Sequence, residues 1–270
     1  MNQRTHGERV HARSAGFWAD WRTVALRALR LTLRDPEAFG PALAIPLFFF
    51  VVNVGALQAF VESGPGFPEG FDYKAFQLPV AVVFAVTGVS RAQSLVTDIQ
   101  GGYLDRLLLT PVKRGTLLLG LMTADLVLIL ALATPVMILG LILGIDVATG
   151  IGGILLFILL AGLWGLAFTG FPYAIALRTG NPTAVNNAFL LFFPFAFLTT
   201  AYLPEEAMTG WLATAVKFNP ATYLLEGMRA ILQTGWEWGS IGKALLAIGG
   251  LMALSFTLAF RALAGRVKRN

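Results

Sequence analysis

The sequence predicts an all-α membrane protein with six transmembrane helices. Of its 270 residues, 56% are hydrophobic and only 13% are charged, about half of the charged fraction of an ordinary soluble domain. Several apolar stretches reach the roughly 20 residues that a helix needs to cross a bilayer. The basic residues lie beside these stretches and not in one patch, which favours membrane insertion over nucleic-acid binding.

An amphipathic helix is predicted before the first span. Residues 1–16 form a polar cytoplasmic tail, and no short apolar core with a cleavage site follows it, so no cleaved signal peptide is expected. In residues 17–35, Phe17, Trp21 and Val24 share one face at 100° per residue, whereas Arg27 and Arg30 gather opposite. This pattern predicts an interfacial helix along the inner leaflet. A cytosolic helix packed on a partner is the alternative.

Residues 36–270 are predicted to form a single six-helix transmembrane domain. Four of its spans are apolar for the roughly 20 residues that a bilayer core requires. One of the other two contains Arg91, and the second contains Asn186, Asn187 and Pro194. The predicted spans cover about residues 39–61, 75–97, 115–143, 151–177, 185–203 and 239–263.

The distribution of basic residues predicts the orientation. Of the 20 lysines and arginines, only Lys74, Lys217, Arg229 and Lys243 fall on the outer side if the N terminus is cytoplasmic. This asymmetry follows the positive-inside rule. With an even number of spans, both termini are therefore expected in the cytoplasm.

Residues 98–114 form the most informative connection. Gly101 and Gly102 can break the descending helix, after which residues 103–109 can form a short helix that mixes leucines with charged residues. Pro111 limits its extent. A compact cytoplasmic helix of this kind suits docking into a groove on another protein, and a solvated loop is the alternative.

The outer segment 204–238 is too polar for a span but apolar enough to stay near lipid. Its tryptophans suit the membrane interface. We expect two short, partly re-entrant helices, with the break at Asn219 because the residue before Pro220 is pushed out of helical geometry.

Chemistry-bearing residues are few. The chain has no cysteine, and its two histidines, His6 and His11, lie in the polar tail; a metal site or catalytic constellation is therefore not expected. Asp125 falls inside the third span, where a charge must face protein or water, and Arg91 is its predicted partner in a structural charge pair. No phosphate-binding loop occurs, because Gly242-Lys243 is followed by alanine.

These residues resemble the type-2 ABC transporter (ABC-2 type) permease family, especially the bacterial drug-exporter branch that includes daunorubicin-resistance permeases. The sequence departs from the family where Thr97-Asp98-Ile99-Gln100 replaces acidic and basic residues before the glycines, and where Gly102 replaces a common threonine. The motifs that carry the resemblance are Arg34-Asp35-Pro36, Gly101 to Arg114, Phe192-Phe193-Pro194-Phe195, Asn219-Pro220 and Glu226-Gly227-Met228-Arg229.

The resemblance implies the permease subunit of an ATP-driven exporter of a drug, lipid or similar hydrophobic compound, in the bacterial cytoplasmic membrane. Polysaccharide or glycolipid export is the alternative within the family. A proton-coupled secondary transporter is less expected because that class usually shows repeat symmetry and more buried ionisable groups, and for an intramembrane enzyme the sequence shows no catalytic constellation.

The same resemblance implies the partners and the site. The chain would bind membrane lipid, a second copy or a related permease, and a separate ATPase subunit that holds ATP and magnesium, so that it is neither an enzyme nor a cofactor protein itself. The implied ATPase-coupling residues are Asp98, Gly101, Gly102, Tyr103, Leu104, Asp105, Arg106, Leu107, Leu108, Thr110 and Pro111. The implied pathway candidates are Asn186, Asn187, Phe189, Phe193 and Phe197.

Overall fold

The computed structural model describes residues 16–33, 36–64, 70–108, 114–205 and 208–267. Within these ranges the regular structure is entirely helical, as the sequence predicts. The helices are α1 Phe17–Leu33, α2 Pro36–Ser63, α3 Tyr73–Val86, α4 Ala92–Gln100, α5 Tyr103–Leu108, α6 Arg114–Ile142, α7 Gly150–Thr179, α8 Pro182–Asn187, α9 Phe192–Phe197, α10 Gly210–Ala215, α11 Pro220–Arg229 and α12 Trp238–Val267.

Four helices are long and apolar enough to cross a membrane. They cover Gly40–Ser63, Gly115–Ile142, Gly150–Thr179 and Trp238–Val267, with 24 to 30 residues each. At about 1.5 Å per residue, such helices exceed the roughly 30 Å of a hydrocarbon core. The apolar helices Tyr73–Val86 and Pro182–Phe197 are shorter. The structure thus provides four candidate spans where the sequence predicts six.

The second predicted span, residues 75–97, is divided in two. α3 ends at Val86 and α4 begins at Ala92. Between them Thr87 is extended (φ −81°, ψ 135°), and Gly88 has a φ of 88°, in the left-handed region that favours glycine. These two conformations stop the helical hydrogen-bond ladder. We call residues 87–91 the α3–α4 break.

The fifth predicted span, residues 185–203, is also irregular. α8 passes into a 3-10 helix, Ala188–Leu191, and then into α9, which ends at Phe197. Pro194 has no N–H to donate to the carbonyl four residues earlier, so a continuous α-helix would lose a bond there. The chain from 198 to 204 is not helical.

α7 lies at the centre of the bundle. Its side chains Phe157 and Trp164 are fully buried, and it forms an extensive interface with α12. A Cβ on Gly170 would lie only 2.6 Å from the backbone carbon of Ser255, whose hydroxyl donates to the carbonyl of Ala167. Small residues thus bring these two helices into close contact, as in many membrane bundles.

α1 packs on α6 and does not stand apart from the bundle. A Cβ on Gly120 would lie 2.7 Å from Cγ1 of Val24, and Nε1 of Trp21 donates to Oγ1 of Thr123 at 3.0 Å. Ala28 is buried in the same contact region. The apolar face predicted for the helix therefore packs on its own chain. Its location at the inner leaflet stays a prediction.

The bundle has two ends with different connections. At the α5 end, α1, the end of α4, α5 and the end of α7 lie together, joined by contacts described below. At the α11 end, the start of α3, the α6–α7 connection, α10 and α11 lie together; the N–H of Ala148 donates to the carbonyl of Leu232 there. We use these two names for the ends because membrane orientation stays a prediction.

Candidate functional site

A glycine turn separates α4 from α5. The N–H of Gly101 donates to the carbonyl of Thr97 at 2.9 Å, and the N–H of Gly102 donates to that of Ile99 at 3.1 Å. Gly102 has a φ of 68°, the left-handed conformation that glycine supplies just after a helix. The two glycines thus end α4 and redirect the chain into α5, as predicted.

Arg27 joins this turn to α1. Its Nη2 lies 3.3 Å from Oδ1 of Asp98, and its guanidinium carbon lies 4.2 Å from the centroid of the Tyr103 ring. Leu104 is buried in the hydrophobic cluster that also contains Ala28. An exposed ion pair contributes at most about 1 kcal/mol, so the buried leucine contributes much of the attachment. α1, the end of α4 and α5 therefore form one unit.

The predicted coupling residues are only partly described. Tyr103 and Arg106 are exposed, and Leu107 is half-buried. Thr110 and Pro111 lie outside the described residues, as do the side chains of Asp105 and Leu108. Their assignment to an ATPase contact stays a prediction.

α4 is also tied to the connection between α7 and α8. Nε2 of Gln100 donates to the carbonyl of Gly180 at 3.0 Å, and Nε2 of Gln93 donates to that of Pro182 at 2.9 Å and to Oδ1 of Asn186. Sequence reasoning missed both glutamines because each bond joins residues at least 80 positions apart.

Four aromatic rings form an exposed row along α9 and its flanks. Phe189 meets Phe193 with ring centroids 5.6 Å apart, Phe193 stacks on Phe197 at 5.9 Å, and Phe197 stacks on Tyr202 at 6.1 Å. These side chains are 37% to 50% exposed. We call Phe189, Phe193, Phe197 and Tyr202 the aromatic row. It contains all three predicted pathway phenylalanines and adds Tyr202, which sequence reasoning did not place there.

The two predicted pathway asparagines lie just before the row. Asn186 and Asn187 at the end of α8 are both exposed. On the opposite face, Phe192 is fully buried against Phe84 and Phe168. The segment therefore presents one mixed aromatic and amide face outward and packs the other against the bundle.

Asp125 and Arg91 are in contact, but not only as a pair of opposite charges. Oδ1 of Asp125 accepts from the backbone N–H of Arg91 at 2.9 Å, and Oδ2 accepts from the hydroxyl of Tyr173 at 2.6 Å. Nη2 of Arg91 donates to Oγ of Ser94. Asp125 thus acts on the start of α4 through the main chain. Sequence reasoning missed Tyr173, which is a single tyrosine in a long apolar span.

Arg229 organises the α11 end. It is 8% exposed, its Nε and Nη2 donate to the carbonyls of Phe76 at 3.1 Å and Thr200 at 2.7 Å, and its Nη1 donates to Oγ1 of Thr200 at 3.0 Å. The guanidinium carbon lies 3.5 Å from the centroid of the Phe76 ring. Burial lowers the pKa of Arg229 to about 9, which leaves it charged at neutral pH.

Asn219 fixes the far part of the aromatic row. Its side-chain oxygen accepts from the N–H of Ala221, which caps α11 at the predicted break. Its Nδ2 donates to the carbonyls of Phe195 at 2.8 Å and Leu198 at 2.6 Å. One side chain therefore starts α11 and holds the end of α9.

Acidic side chains are few and separated in the described part of the bundle. The described residues contain no group of three histidine, cysteine, aspartate or glutamate residues arranged to hold an ion. A cavity of about 450 Å³ at the α11 end is lined in part by Asp72 and Asp146, but the carboxylate of Asp72 already caps α3 by accepting from the N–H of Ala75.

Together, these features define a multi-pass helical membrane protein with a glycine-broken helical segment at one end and an exposed aromatic row along α9. The profile of the ABC-2 type transporter family matches residues 19–232, and the chain belongs to this family. It is 28% identical over 194 residues to the daunorubicin resistance ABC transporter permease protein of Streptomyces coeruleorubidus. That similarity covers 70% of this chain and 68% of the relative.

Proposed function

We propose that this chain is the transmembrane permease subunit of an ATP-driven exporter that moves a hydrophobic or amphiphilic compound out of the cytoplasm or inner leaflet. The observation that carries the proposal is the α4–α5 segment. It is broken by two glycines, tied to α1 through Arg27, and leaves Tyr103 and Arg106 exposed at the end of the bundle. This arrangement suits a docking element that transmits the movement of a bound partner to the transmembrane helices.

In this proposal the chain crosses the membrane six times with both termini in the cytoplasm. α3 and α4 together span 73–100, and α8 and α9 carry the fifth crossing into residues 198–203. Broken helices are tolerated at membrane depth where protein groups satisfy the free backbone. The bonds from Thr87, Arg91 and Asn219 supply such partners.

The motor in this proposal is a separate ATPase subunit that docks on α5. The chain has no phosphate-binding loop of its own. α5 and α1 would move together on docking because Arg27 and the buried Leu104 connect them. ATP and magnesium would bind the partner and not this chain.

The aromatic row is the proposed wall of the export pathway. Its rings offer apolar area, and the neighbouring Asn186 and Asn187 offer hydrogen-bond partners, a combination that suits an amphiphile. The relative named for daunorubicin resistance supports a drug-like substrate. A second copy of this chain or a related permease would cover the exposed row from the other side.

Docking is tested by co-purification with a phosphate-loop ATPase encoded beside this chain. We expect Arg106→Glu to reduce recovery of the ATPase, because it reverses an exposed charge on α5. Lys243→Glu reverses an exposed charge outside this segment and is the matched control. Equal recovery with both variants would contradict docking at α5.

Transport is tested in inverted membrane vesicles with a fluorescent anthracycline. Uptake should require ATP and both subunits, and should survive a proton uncoupler. Uptake that follows the proton gradient without the ATPase would instead indicate a secondary transporter. Accumulation of lipid-linked sugar on deletion, without a change in drug uptake, would indicate glycolipid export.

A further inference from the structure

We propose that the α3–α4 break is a hinge, that Asp125 and Tyr173 set its resting angle, and that Phe189 passes its movement to the aromatic row. The use of this hinge in transport rests on the proposed function, whereas the hinge itself does not. Four contacts around residues 87–91 carry the inference.

The α3 side of the break is fixed to α7. Oγ1 of Thr87 donates to the carbonyl of Val83 at 2.6 Å, which closes the last turn of α3. The same oxygen accepts from Nε1 of Trp164 at 2.9 Å, and both side chains are buried. The hydroxyl thus satisfies the end of one helix and anchors it to another.

The α4 side is held through a side chain of α6. Arg91, the residue before α4, makes no side-chain cap to the start of the helix. Its N–H donates to Asp125 on α6, which is fully buried and is held on its other oxygen by Tyr173. A carboxylate is favoured at a helix N-terminus, and a buried one must be hydrogen-bonded. Asp125 therefore holds the residue before α4 from a neighbouring span, beside Ser90, whose Oγ accepts from the N–H of Ala92 at 3.1 Å.

Phe189 rests on the middle of the break. A Cβ on Gly88 would lie 2.3 Å from Cδ2 of Phe189, so only glycine leaves room for the ring, and only glycine adopts the φ of 88° readily. Phe189 is also the first ring of the row and meets Phe193. A change in the backbone at Gly88 must therefore displace the ring.

The two helices joined by the break are attached to different parts of the molecule. α3 is bound at the α11 end through the carbonyl of Phe76 and through Gln77, which donates to the carbonyl of Ala201. α4 is bound at the α5 end through Asp98 and Gln100. A displacement of α5 relative to the α11 end is thus concentrated in residues 87–91, the short non-helical connection.

Hydrogen exchange of the full chain in lipid nanodiscs tests the hinge without the ATPase. Tyr173→Phe removes one donor to Asp125, and we expect about tenfold faster exchange of amides 91–95, with α3 unchanged. Tyr223→Phe is the matched control, because its hydroxyl donates to the carbonyl of Lys217 at the α11 end. Equal acceleration in α3 and α4, or none in either, would overturn the hinge.

Asp125→Asn is the second variant. It keeps the volume of the side chain and the acceptor for the N–H of Arg91, but its amide nitrogen cannot accept from the hydroxyl of Tyr173. We expect the same local acceleration at 91–95. If Tyr173→Phe does not fold and Asp125→Asn leaves exchange unchanged, the hinge is rejected.

The transport role is tested in vesicles with the ATPase present. We expect Phe189→Leu to leave exchange at 91–95 unchanged but to lower transport per ATP hydrolysed severalfold, because the ring no longer rests on Gly88. Unchanged transport per ATP would reject the role of Phe189. If the wild-type complex shows no ATP-dependent transport, the proposed function fails, and the exchange result still decides the hinge.

Discussion

Arg229 is a charged side chain inside an apolar bundle, and its partners explain why it is tolerated. Carbonyls of Phe76 and Thr200 accept from it, and the Phe76 ring lies against the guanidinium face. The planar guanidinium group of arginine can make all of these contacts together, whereas the ammonium group of a lysine cannot. The residue therefore joins α3, the chain after α9 and α11 at one point.

Arg229→Lys should destabilise the protein by about 2–4 kcal/mol, because it keeps the buried charge but loses most of the hydrogen bonds and the ring contact. Thermal unfolding in detergent measures the effect. Arg261→Lys, at an exposed position on α12, is the control and should change the transition little. Equal shifts for both variants would show that the buried contacts do not stabilise the fold.

Gly170→Ala should also destabilise, by about 1–3 kcal/mol, because a methyl group at 2.6 Å from the backbone of Ser255 forces α7 and α12 apart. Gly249→Ala on α12 places the same group in open space and is the control. The unfolding midpoints of the two variants in the same detergent give the comparison. A Gly170→Ala midpoint no lower than the control would rule out tight packing here.

At this scale the sequence indicated several important side chains but not their partners. Asp125 is conspicuous as a charge in an apolar span, and Arg91 was predicted as its partner. The main-chain contact and the role of Tyr173 were not predicted, because a hydrogen bond between residues 48 positions apart leaves no local pattern. Arg229 was noted as an outer basic residue and as part of a motif, but its partners were not predicted for the same reason.

α1 and α5 are separate in sequence but act as one element in the structure. Arg27 lies between Asp98 and Tyr103, and Leu104 is buried beneath them. Neither α5 nor the end of α4 is long enough to be stable alone. Both segments therefore stay folded through their contacts with α1 and their hydrogen bonds to the α7–α8 connection.

Arg27→Met should loosen this joint and raise the exchange of amides 98–104 severalfold, because it removes the ion pair and the ring contact but keeps an apolar stem. Arg22→Met, at an exposed position on the same helix, should have no such effect. Hydrogen exchange by mass spectrometry resolves the segment. Identical exchange in both variants would show that Arg27 does not hold α5.

The helices themselves were largely predictable, and the breaks were less so. The glycine pair at 101–102 and the Asn219-Pro220 step were found because glycine and proline act locally. The α3–α4 break was missed, although Thr87, Gly88 and Ser90 lie there, because hydropathy averaged over about 20 residues hides a five-residue interruption.

The whole molecule is a bundle around α7 whose two ends carry different connections. Exposed basic side chains such as Arg22, Arg106 and Arg178 are concentrated at the α5 end, and the positive-inside rule predicts such a difference between the two sides of a membrane protein. Exposed tryptophans occur at both ends, Trp18 on α1 and Trp211 and Trp238 near α11, as their preference for both membrane interfaces predicts.

The absence of cysteine makes the orientation directly testable. A membrane-impermeant maleimide should label Lys217→Cys in intact cells, and should label Arg106→Cys only after the membrane is opened, because the two positions lie at opposite ends of the bundle. The wild-type chain is the blank. Labelling of Arg106→Cys in intact cells would show that the topology is the reverse of the predicted one, in which case a cytoplasmic ATPase could not reach α5.

Hydropathy and charge predicted the class of the fold, since both depend on composition along the chain. They did not predict that α1 packs on α6, because an amphipathic face suits lipid and protein equally well. The fit of Val24 on Gly120 and the hydrogen bond from Trp21 to Thr123 show which of the two it contacts. The same difficulty arises at residues 182–203, where an apolar face could contact either lipid or protein, and the number of spans depends on which it contacts.

The two ends of α9 differ in how they are held. Asn219 ties its C-terminal carbonyls to α11 through two hydrogen bonds, whereas its first residue, Phe192, is held by packing against Phe84 and Phe168. Apolar packing is non-directional, so the start of α9 can shift more readily than its hydrogen-bonded end. If the aromatic row lines the export pathway as proposed, that pathway should therefore widen first near Asn186 and least near Asn219.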